Sequence, residues 1–236
     1  LIVPRMIALS EIAWAEPTAK PGLEEFYRQL VPQFKRMDVM RVNYRVPDLQ
    51  GFYKVNAFID ETTVELTCPL PGTEIRYTTD GSMPTKESAL YNGALEVGKT
   101  TDFAFRTFRP DGSPSDVVRT KYVKAPYAEA VTASAALQPG LKAVWYDFRG
   151  NLCADMDAAP VKGEYVVESV SIPEEVKGNI GLVLTGYLEV PADGIYTFAL
   201  LSDDGSTLML DGELLGDNDG AHSPVEIIVQ LSLIHI

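Results

Sequence analysis

The chain has few of the residues that mark metal and redox sites. Its 236 residues include two cysteines, Cys68 and Cys153, and two histidines, His222 and His235. No Cys-x-x-Cys or Cys/His spacing predicts a zinc site, and neither histidine has a Ser or Cys arrangement typical of nucleophilic catalysis. We expect each cysteine to be a buried free thiol, so cysteine usage does not indicate a redox compartment.

Positive charge is also scarce, with 20 Lys and Arg against 33 Asp and Glu, a net charge of −13. This balance excludes nucleic acid and an anionic membrane surface as partners, because phosphate binding requires a basic patch. No apolar run approaches the roughly 20 residues that span a bilayer. There is no initiator Met and no signal peptide. We therefore expect an internal piece of a longer polypeptide, in which a missing targeting signal has no meaning.

Residues 1–46 are predicted to form two helices. Pro4 suits a helix start, and apolar residues recur at helical spacing up to Trp14. After a break, a second apolar stripe follows the i, i+3, i+4, i+7 pattern; it consists of Leu23, Phe26, Tyr27, Leu30, Phe34 and Met37. Pro32 is expected to kink or break this helix. Each helix needs a partner for its apolar face that the chain does not obviously supply.

After Pro47 the apolar residues alternate with period two. Val64, Leu66 and Cys68 share one face, and turn signals occur at Asp80-Gly81 and 110–112. Short alternating strands separated by turns predict a β-sandwich over residues 59–124. The flanking residues 47–58 and 125–136 are predicted linkers.

A second all-β region is predicted over residues 137–230. Residues 187–200 indicate a hairpin that turns at Asp193-Gly194, and a later alternating run ends at Asp211-Gly212. The last six residues, LSLIHI (231–236), do not continue this pattern. We expect them to be a non-native tail outside the fold.

Three stretches carry a family resemblance. The opening, with Pro4, Arg5, Ala8, Glu11, Trp14 and Asn43-Tyr44-Arg45, resembles the end of the catalytic barrel of family 20 glycoside hydrolases, the β-N-acetylhexosaminidases. The segment IRYTTDGSMPTKESALYNG is similar to the chitobiase C-terminal-type β domain; the matching residues are Tyr77, Thr78, Asp80, Gly81, Pro84 and Tyr91. The segment from GYLEVPADG to DNDGAH resembles the protective-antigen-type β module.

The resemblance implies an α+β multidomain, mostly β chain. Its parts would be the last helices of a TIM barrel, then a fibronectin III/Ig-like β-sandwich, then a truncated protective-antigen-type β-sandwich. The helices would pack on the missing barrel within the same polypeptide. A bacterial parent that is periplasmic, exposed on the cell surface or extracellular is implied.

The implied activity is hydrolysis of terminal N-acetylhexosamine from glycans or chito-oligosaccharides by substrate-assisted catalysis. No cofactor takes part in that catalysis. The catalytic Asp-Glu pair would lie upstream of Leu1, so we assign no catalytic residue here and expect this chain alone to be inactive. Within the chain, the pairs Glu24-Glu25 and Glu174-Glu175 are predicted to be solvated surface.

The acidic stretch SDDGSTLMLDGELLGDNDGAH (202–222) allows two interpretations. An EF-hand fails, because Leu215 falls at the first ligand position and Pro224 within the loop. In sugar-binding protective-antigen-type modules, an Asp pair matching Asp203 and Asp204 holds Ca²⁺, which takes two sugar hydroxyls. Alternatively, these residues form a strand-ending turn with Gly205 at positive φ.

Other polar and aromatic residues of this region are not assigned to a site. Asp217, Asn218 and Asp219 are predicted to be a solvent loop. Tyr146 and Phe148 share a strand face, which favours core packing of Trp145, Tyr146 and Phe148 over sugar stacking. Sugar-binding residues therefore remain unknown. The alternatives to a hexosaminidase fragment are a calcium-dependent carbohydrate-binding or adhesion module and an inert β spacer.

Overall fold

A computed structural model of the chain describes residues 3–16, 22–131, 136–172 and 176–233. Its contacts divide the chain into two compact units. One unit takes in the chain up to residue 56 together with residues 60–124. The other takes in residues 57–59 and the chain from residue 125 on. The predicted domain boundaries themselves stay predictions.

Two helices open the first unit, α1 over Arg5–Trp14 and α2 over Leu23–Val39. Helix α2 buries its predicted stripe, of which Leu30, Phe34 and Met37 are 2–5% exposed. These side chains form one cluster with Tyr44, Val46 and Leu70. The expectation that this face lacks a partner within the chain is therefore wrong for α2, because the following segment folds back over it.

Helix α1 differs, because it contains no buried residue. Its apolar side chains Met6, Leu9, Ile12 and Trp14 are 54–89% exposed. In the described residues, no helix combines the length and the apolar character needed to cross a membrane.

The expected kink or break at Pro32 does not end α2, which runs on to Val39. Proline removes one backbone donor from a helix. Here Pro32 lies on the exposed face, where water can satisfy the freed carbonyl. Buried residues on both sides of it, Leu30 and Phe34, hold the two helix halves on the same cluster.

The first unit contains two β-sheets. Five strands follow the order β1-β7-β6-β3-β4, and β2 pairs with β5 separately. The strands are β1 Val55–Phe58, β2 Thr62–Val64, β3 Glu74–Thr78, β4 Ala89–Leu90, β5 Leu95–Val97, β6 Thr101–Phe108 and β7 Pro114–Lys124. The predicted turns are confirmed, with Gly81 and Gly112 at φ values of 75° and 84°.

Aromatic side chains fill the core of these sheets. Phe105 is fully buried, and its ring stacks on Phe103 with centroids 5.4 Å apart. Tyr77 lies 6.0 Å away, and Tyr91 approaches edge-on at 6.4 Å. Such offset and edge contacts add to the free energy of burial.

The second unit is also built from antiparallel strands, in the orders β10-β8-β9, β11-β14 and β12-β13. The strands are β8 Leu141–Asp147, β9 Val161–Val167, β10 Ile180–Thr185, β11 Gly194–Ser202, β12 Ser206–Leu210, β13 Glu213–Asn218 and β14 Val225–Leu233. A 3-10 helix spans Cys153–Ala158. The expectation of a mostly β chain of sandwich type agrees with these sheets, whereas the barrel origin of the helices stays a prediction.

The predicted hairpin around Asp193-Gly194 is wrong. Strand β11 pairs with β14 along its whole length, from Gly194 opposite Leu233 to Ser202 opposite Val225. Residues 186–190 are not strand, and Tyr187 and Leu188 are each 55% exposed. Pro191 lacks an N–H at the point where the first arm would need one. Strand β11 therefore pairs with β14, which is distant in sequence, and not with the preceding residues 187–190.

The turn at Asp211-Gly212 is confirmed as the link between β12 and β13. Both residues have positive φ, 51° and 83°, and Leu210 pairs with Glu213. Two successive positive φ values are the mark of a type I′ hairpin turn.

The expectation that residues 231–236 lie outside the fold fails for 231–233. These residues complete β14, and Ser232 and Leu233 are 1% and 7% exposed. The Ser232 hydroxyl donates to the Pro126 carbonyl. Alternation of apolar residues thus continues through Leu233, while residues 234–236, including His235, lie outside the described residues.

Candidate functional site

The Asp203-Asp204 pair lies in the connection between β11 and β12. Asp204 has a φ of 65°, and its backbone N–H donates to the His222 carbonyl oxygen at 3.0 Å. The expectation that Gly205 takes positive φ is therefore wrong, because the preceding aspartate does so. Aspartate tolerates this region better than most residues, since its short side chain bonds locally.

Gly205 is required for a different reason, which is close packing. A Cβ at this position would lie 2.6 Å from Asp219 Oδ1 and 2.8 Å from the Gly220 nitrogen. Real Cβ atoms do not approach so closely, so only glycine lets the two loops touch. The turn is consequently held against residues 219–222.

A buried polar network lies at the base of this turn. Asn218, 7% exposed, donates from Nδ2 to Ser202 Oγ at 2.8 Å and to the Val225 carbonyl oxygen at 3.0 Å. The hydroxyls of Ser202 and Ser206 lie 2.7 Å apart. These bonds join the ends of four strands, β11 to β14, so the prediction of a solvent loop is wrong for Asn218.

The same prediction is wrong for Asp219, whose carboxylate is a structural acceptor. The Cys153 N–H donates to its two oxygens at 2.9 and 3.1 Å, and the Gly220 N–H donates to Oδ1 at 2.9 Å. Burial opposes ionisation of Asp219, but these N–H bonds outweigh it and keep its pKa below the ordinary value. Asp217 is exposed, but it lies in strand β13 and not in a loop.

Cys153 is a half-buried free thiol. Burial and its contact with the Asp219 carboxylate raise its pKa to about 11. It is therefore protonated at neutral pH and a poor nucleophile. Cys68 is likewise free and half-buried, and it packs against the α2 cluster.

His222 is placed to carry a positive charge beside the acidic turn. Its Nδ1 lies 2.8 Å from the Ser223 carbonyl oxygen and its Nε2 lies 3.0 Å from that of Asn218. Carbonyls only accept hydrogen bonds, so both contacts are satisfied when both ring nitrogens are protonated. The two carbonyls raise the pKa of His222, with smaller contributions from the Asp204 and Asp203 carboxylates.

The turn offers a partial donor set for Ca²⁺. Asp203 and Asp204 are both exposed, and carboxylate oxygens are the hard ligands that this cation prefers. Across the described part of the chain, however, no three His, Cys, Asp or Glu side chains converge on one point. Calcium takes six to eight oxygens. The chemistry of the pair fits, and most of the coordination shell would have to come from other oxygen donors.

No described carboxylate pair forms an acid/base site. Hydrogen bonds from Arg28 and Gln29 lower the pKa of the exposed Glu25 to about 2, so it stays ionised and cannot serve as a general acid at neutral pH. A further pair, Asp60-Glu61, is not part of any sequence motif and is exposed in the connection between β1 and β2. Glu174-Glu175 lies outside the described residues.

Trp145 and Tyr146 of β8 are half-buried, and so is Phe148, which lies beyond the end of the strand and therefore does not share a strand face with Tyr146. Trp145 sits across from Gly163 on β9, and its Nε1 is buried without a hydrogen-bond partner. A Cβ on Gly163 would meet that nitrogen at 2.6 Å. The indole ring thus covers the glycine.

Comparison with known proteins identifies two domain types in the chain. Residues 54–120 match the profile of the chitobiase/beta-hexosaminidase C-terminal domain, and residues 137–234 match that of the PA14 domain. A beta-hexosaminidase of Porphyromonas gingivalis is 28% identical over 230 residues, which cover 92% of this chain. The matched part is 29% of that relative, so the chain spans less than a third of its length.

These findings confirm the resemblance expected from the sequence. One segment of the chain is similar to the chitobiase/beta-hexosaminidase C-terminal domain, the next is similar to the PA14 domain, and most of the chain is similar to a beta-hexosaminidase.

Proposed function

We propose that the chain is the non-catalytic, C-terminal part of a family 20 β-N-acetylhexosaminidase. The larger protein would remove terminal N-acetylhexosamine from glycans or chito-oligosaccharides by substrate-assisted catalysis. Its catalytic Asp-Glu pair would lie outside these 236 residues. Helix α1, with its exposed apolar face, would pack within the catalytic barrel. We also propose that the larger protein is bacterial and is periplasmic, exposed on the cell surface or extracellular.

The observation that carries the proposal is the extent of the similarity. One relative, a beta-hexosaminidase, aligns with 92% of the chain, which is more than the two matched domains cover together. The described carboxylates support a non-catalytic role, because Glu25 is ionised by its partners and Asp60-Glu61 lies on an exposed turn.

The proposal is tested by sequencing the DNA that precedes the codon for Leu1. We expect an open reading frame, continuous with this chain, that encodes a barrel with an adjacent Asp-Glu pair. A start codon at that point, or an unrelated domain, would contradict the proposal.

A second role, calcium-dependent glycan binding, is favoured by one observation at the acidic turn. Asp203 and Asp204 are exposed on a turn that is fixed by the Asp204–His222 bond and by the contact of Gly205 with Asp219. A fixed pair of carboxylates loses little freedom when it binds a cation. Asp203 and Asp204 would hold Ca²⁺, and glycan hydroxyls and water would supply the remaining oxygens.

Calorimetric titration with calcium chloride, followed by glycan-array binding with and without calcium, tests this role. We expect calcium binding that both Asp203→Ala and Asp204→Ala abolish. Asp157→Ala, an exposed carboxylate of the same unit, is the matched control and should bind as wild type. Silent titrations and arrays under all conditions would instead favour an inert spacer.

A further inference from the structure

Helix α2 ends beside the hairpin that joins β6 and β7. The helix ends at Val39. Arg41, with a φ of 55°, then turns the chain back, and the Val42 N–H donates to the Met37 carbonyl oxygen at 2.9 Å. The returning segment then places Tyr44, 3% exposed, in the α2 cluster. The hairpin is fixed in turn, because the Arg109 N–H donates to the Ser113 carbonyl oxygen at 2.9 Å.

Arg109 bridges these two elements. Its guanidinium carbon lies 4.5 Å from the centroid of the Tyr44 ring, a cation–π distance. Its Nη1 donates to Asp38 Oδ1 at 3.2 Å, and its Nη2 lies 3.5 Å from Asp111 Oδ2. Only 10% of the Arg109 side chain is exposed, whereas the carboxylates of Asp38 and Asp111 that pair with it are about half exposed.

Arg109 also compensates for the unfavourable position of Asp38 in the last turn of α2. A carboxylate in the last turn of a helix is unfavourable, because the C-terminal end of the helix dipole is negative. Arg109 places a cation at this end of α2, where it offsets both Asp38 and the dipole. Few other sandwich residues reach the helix cluster; Leu70 is buried in it and Cys68 packs against it.

We propose that Arg109 clasps α2 to the β-sandwich, so that the helix and the sandwich unfold as one unit. The sandwich thereby works as an anchor for the helical segment, a role different from glycan binding. The clasp rests on contacts within this chain and does not depend on the proposed hexosaminidase function. Arg109 acts through Tyr44 and Asp38, so its role is positional.

Native-state hydrogen exchange of the 236-residue chain tests the clasp. In the wild type, we expect the slowest amides of α2 and of β6 to exchange with the same free energy of opening. In Arg109→Ala, the α2 amides should exchange about 10- to 100-fold faster and the β6 amides should accelerate less, because α2 can then open while the sandwich stays folded. Arg76→Ala, which removes the pair with Glu74 and a hydrogen bond to the Ser88 carbonyl oxygen within the sandwich, is the matched control and should not separate the α2 and β6 rates.

Two further variants make the test specific. Arg109→Lys keeps the charge but loses the flat face over Tyr44, so it should give an intermediate rate. Asp38→Asn removes the helix side of the ion pair at a half-exposed carboxylate, and it should speed α2 exchange more than β6 exchange even where Arg109→Ala fails to fold. Unchanged α2 exchange in these variants, or equal acceleration of α2 and β6, would overturn the proposal.

Discussion

Residues 1–124 contain 16 Lys and Arg and 16 Asp and Glu, whereas residues 125–236 contain four and 17. The whole net charge of −13 therefore belongs to the second half. The buried apolar residues are distributed in the opposite way. The first half buries a cluster of aromatic rings, while the buried hydrophobic residues among those described from 125 on are Ala143, Val176 and Leu233.

This difference indicates two ways of stabilising a β fold. In the first half, large apolar side chains provide most of the favourable free energy. In the second half, strand pairing and polar contacts such as those of Asn218 and Asp219 carry more of the stability, against repulsion between like charges. The two halves should consequently respond to different substitutions.

The largest expected effect is in the aromatic core of the first half. Phe105→Ala should lower the free energy of unfolding by about 3–5 kcal/mol, because it leaves a cavity among Phe103, Tyr77 and Tyr91. The matched change in the second half, Leu201→Ala, removes a side chain that is 66% exposed and should cost less than about 0.5 kcal/mol. Chemical denaturation with hydrogen exchange measures both. Similar costs for the two variants would remove the contrast.

In the second half, the expected weak point is the contact between two loops. Gly205→Ala should cost about 1–3 kcal/mol, because its Cβ would overlap Asp219 and Gly220. Gly194→Ala is the control, since its Cβ would meet only Tyr196 at an ordinary 3.8 Å. Exchange of the β11 and β14 amides measures the loss. Equal stability of the two variants would show that the loops separate freely.

Asp219→Ala should cost about 1–2 kcal/mol, because it leaves the N–H groups of Cys153 and Gly220 without an acceptor. The folded-state pKa of Asp219 lies below its ordinary value of 3.8. The stabilisation of the folded state by ionised Asp219 is therefore fully present above about pH 4 and is lost as the pH falls through the folded-state pKa. The difference in free energy of unfolding between Asp219→Ala and wild type should become smaller below about pH 4. Asp157→Ala should have the wild-type stability at every pH. A difference that is constant with pH would contradict this role.

The smallest expected effect is that of salt. Raising the sodium chloride concentration should increase the free energy of opening of β11 and β14 by less than about 1 kcal/mol, since salt screens the repulsion among the acidic side chains. Strands β6 and β7, in the neutral half, should change little. An equal response of both halves would show that the charge asymmetry has no energetic consequence.

Local patterns predicted much of this structure. The apolar stripe of α2 and the turns at Asp80-Gly81 and Asp211-Gly212 follow from periodicity and turn chemistry alone. The pairing of β11 with β14 could not be predicted in this way, because it joins residues distant in sequence. The break considered at Pro32 does not occur, since burial of the residues around it outweighs a lost hydrogen bond.

The candidate site shows the same limit. A turn at Asp203-Asp204 was predictable from composition, but its conformation was not. Positive φ at Asp204 and the need for glycine at 205 arise from the neighbouring loop, which reaches this turn only in the folded state. The structural roles of Asn218 and Asp219 depend on Ser202 and Cys153, and no local pattern links those residues.

The central claim is that this chain is a non-catalytic part of a β-N-acetylhexosaminidase. Its most direct test is hydrolysis of an aryl N-acetylglucosaminide by the purified 236-residue chain, measured beside the longer protein encoded by the same reading frame. The account predicts no hydrolysis by the chain and clear hydrolysis by the longer protein. Measurable turnover by the chain alone would contradict it.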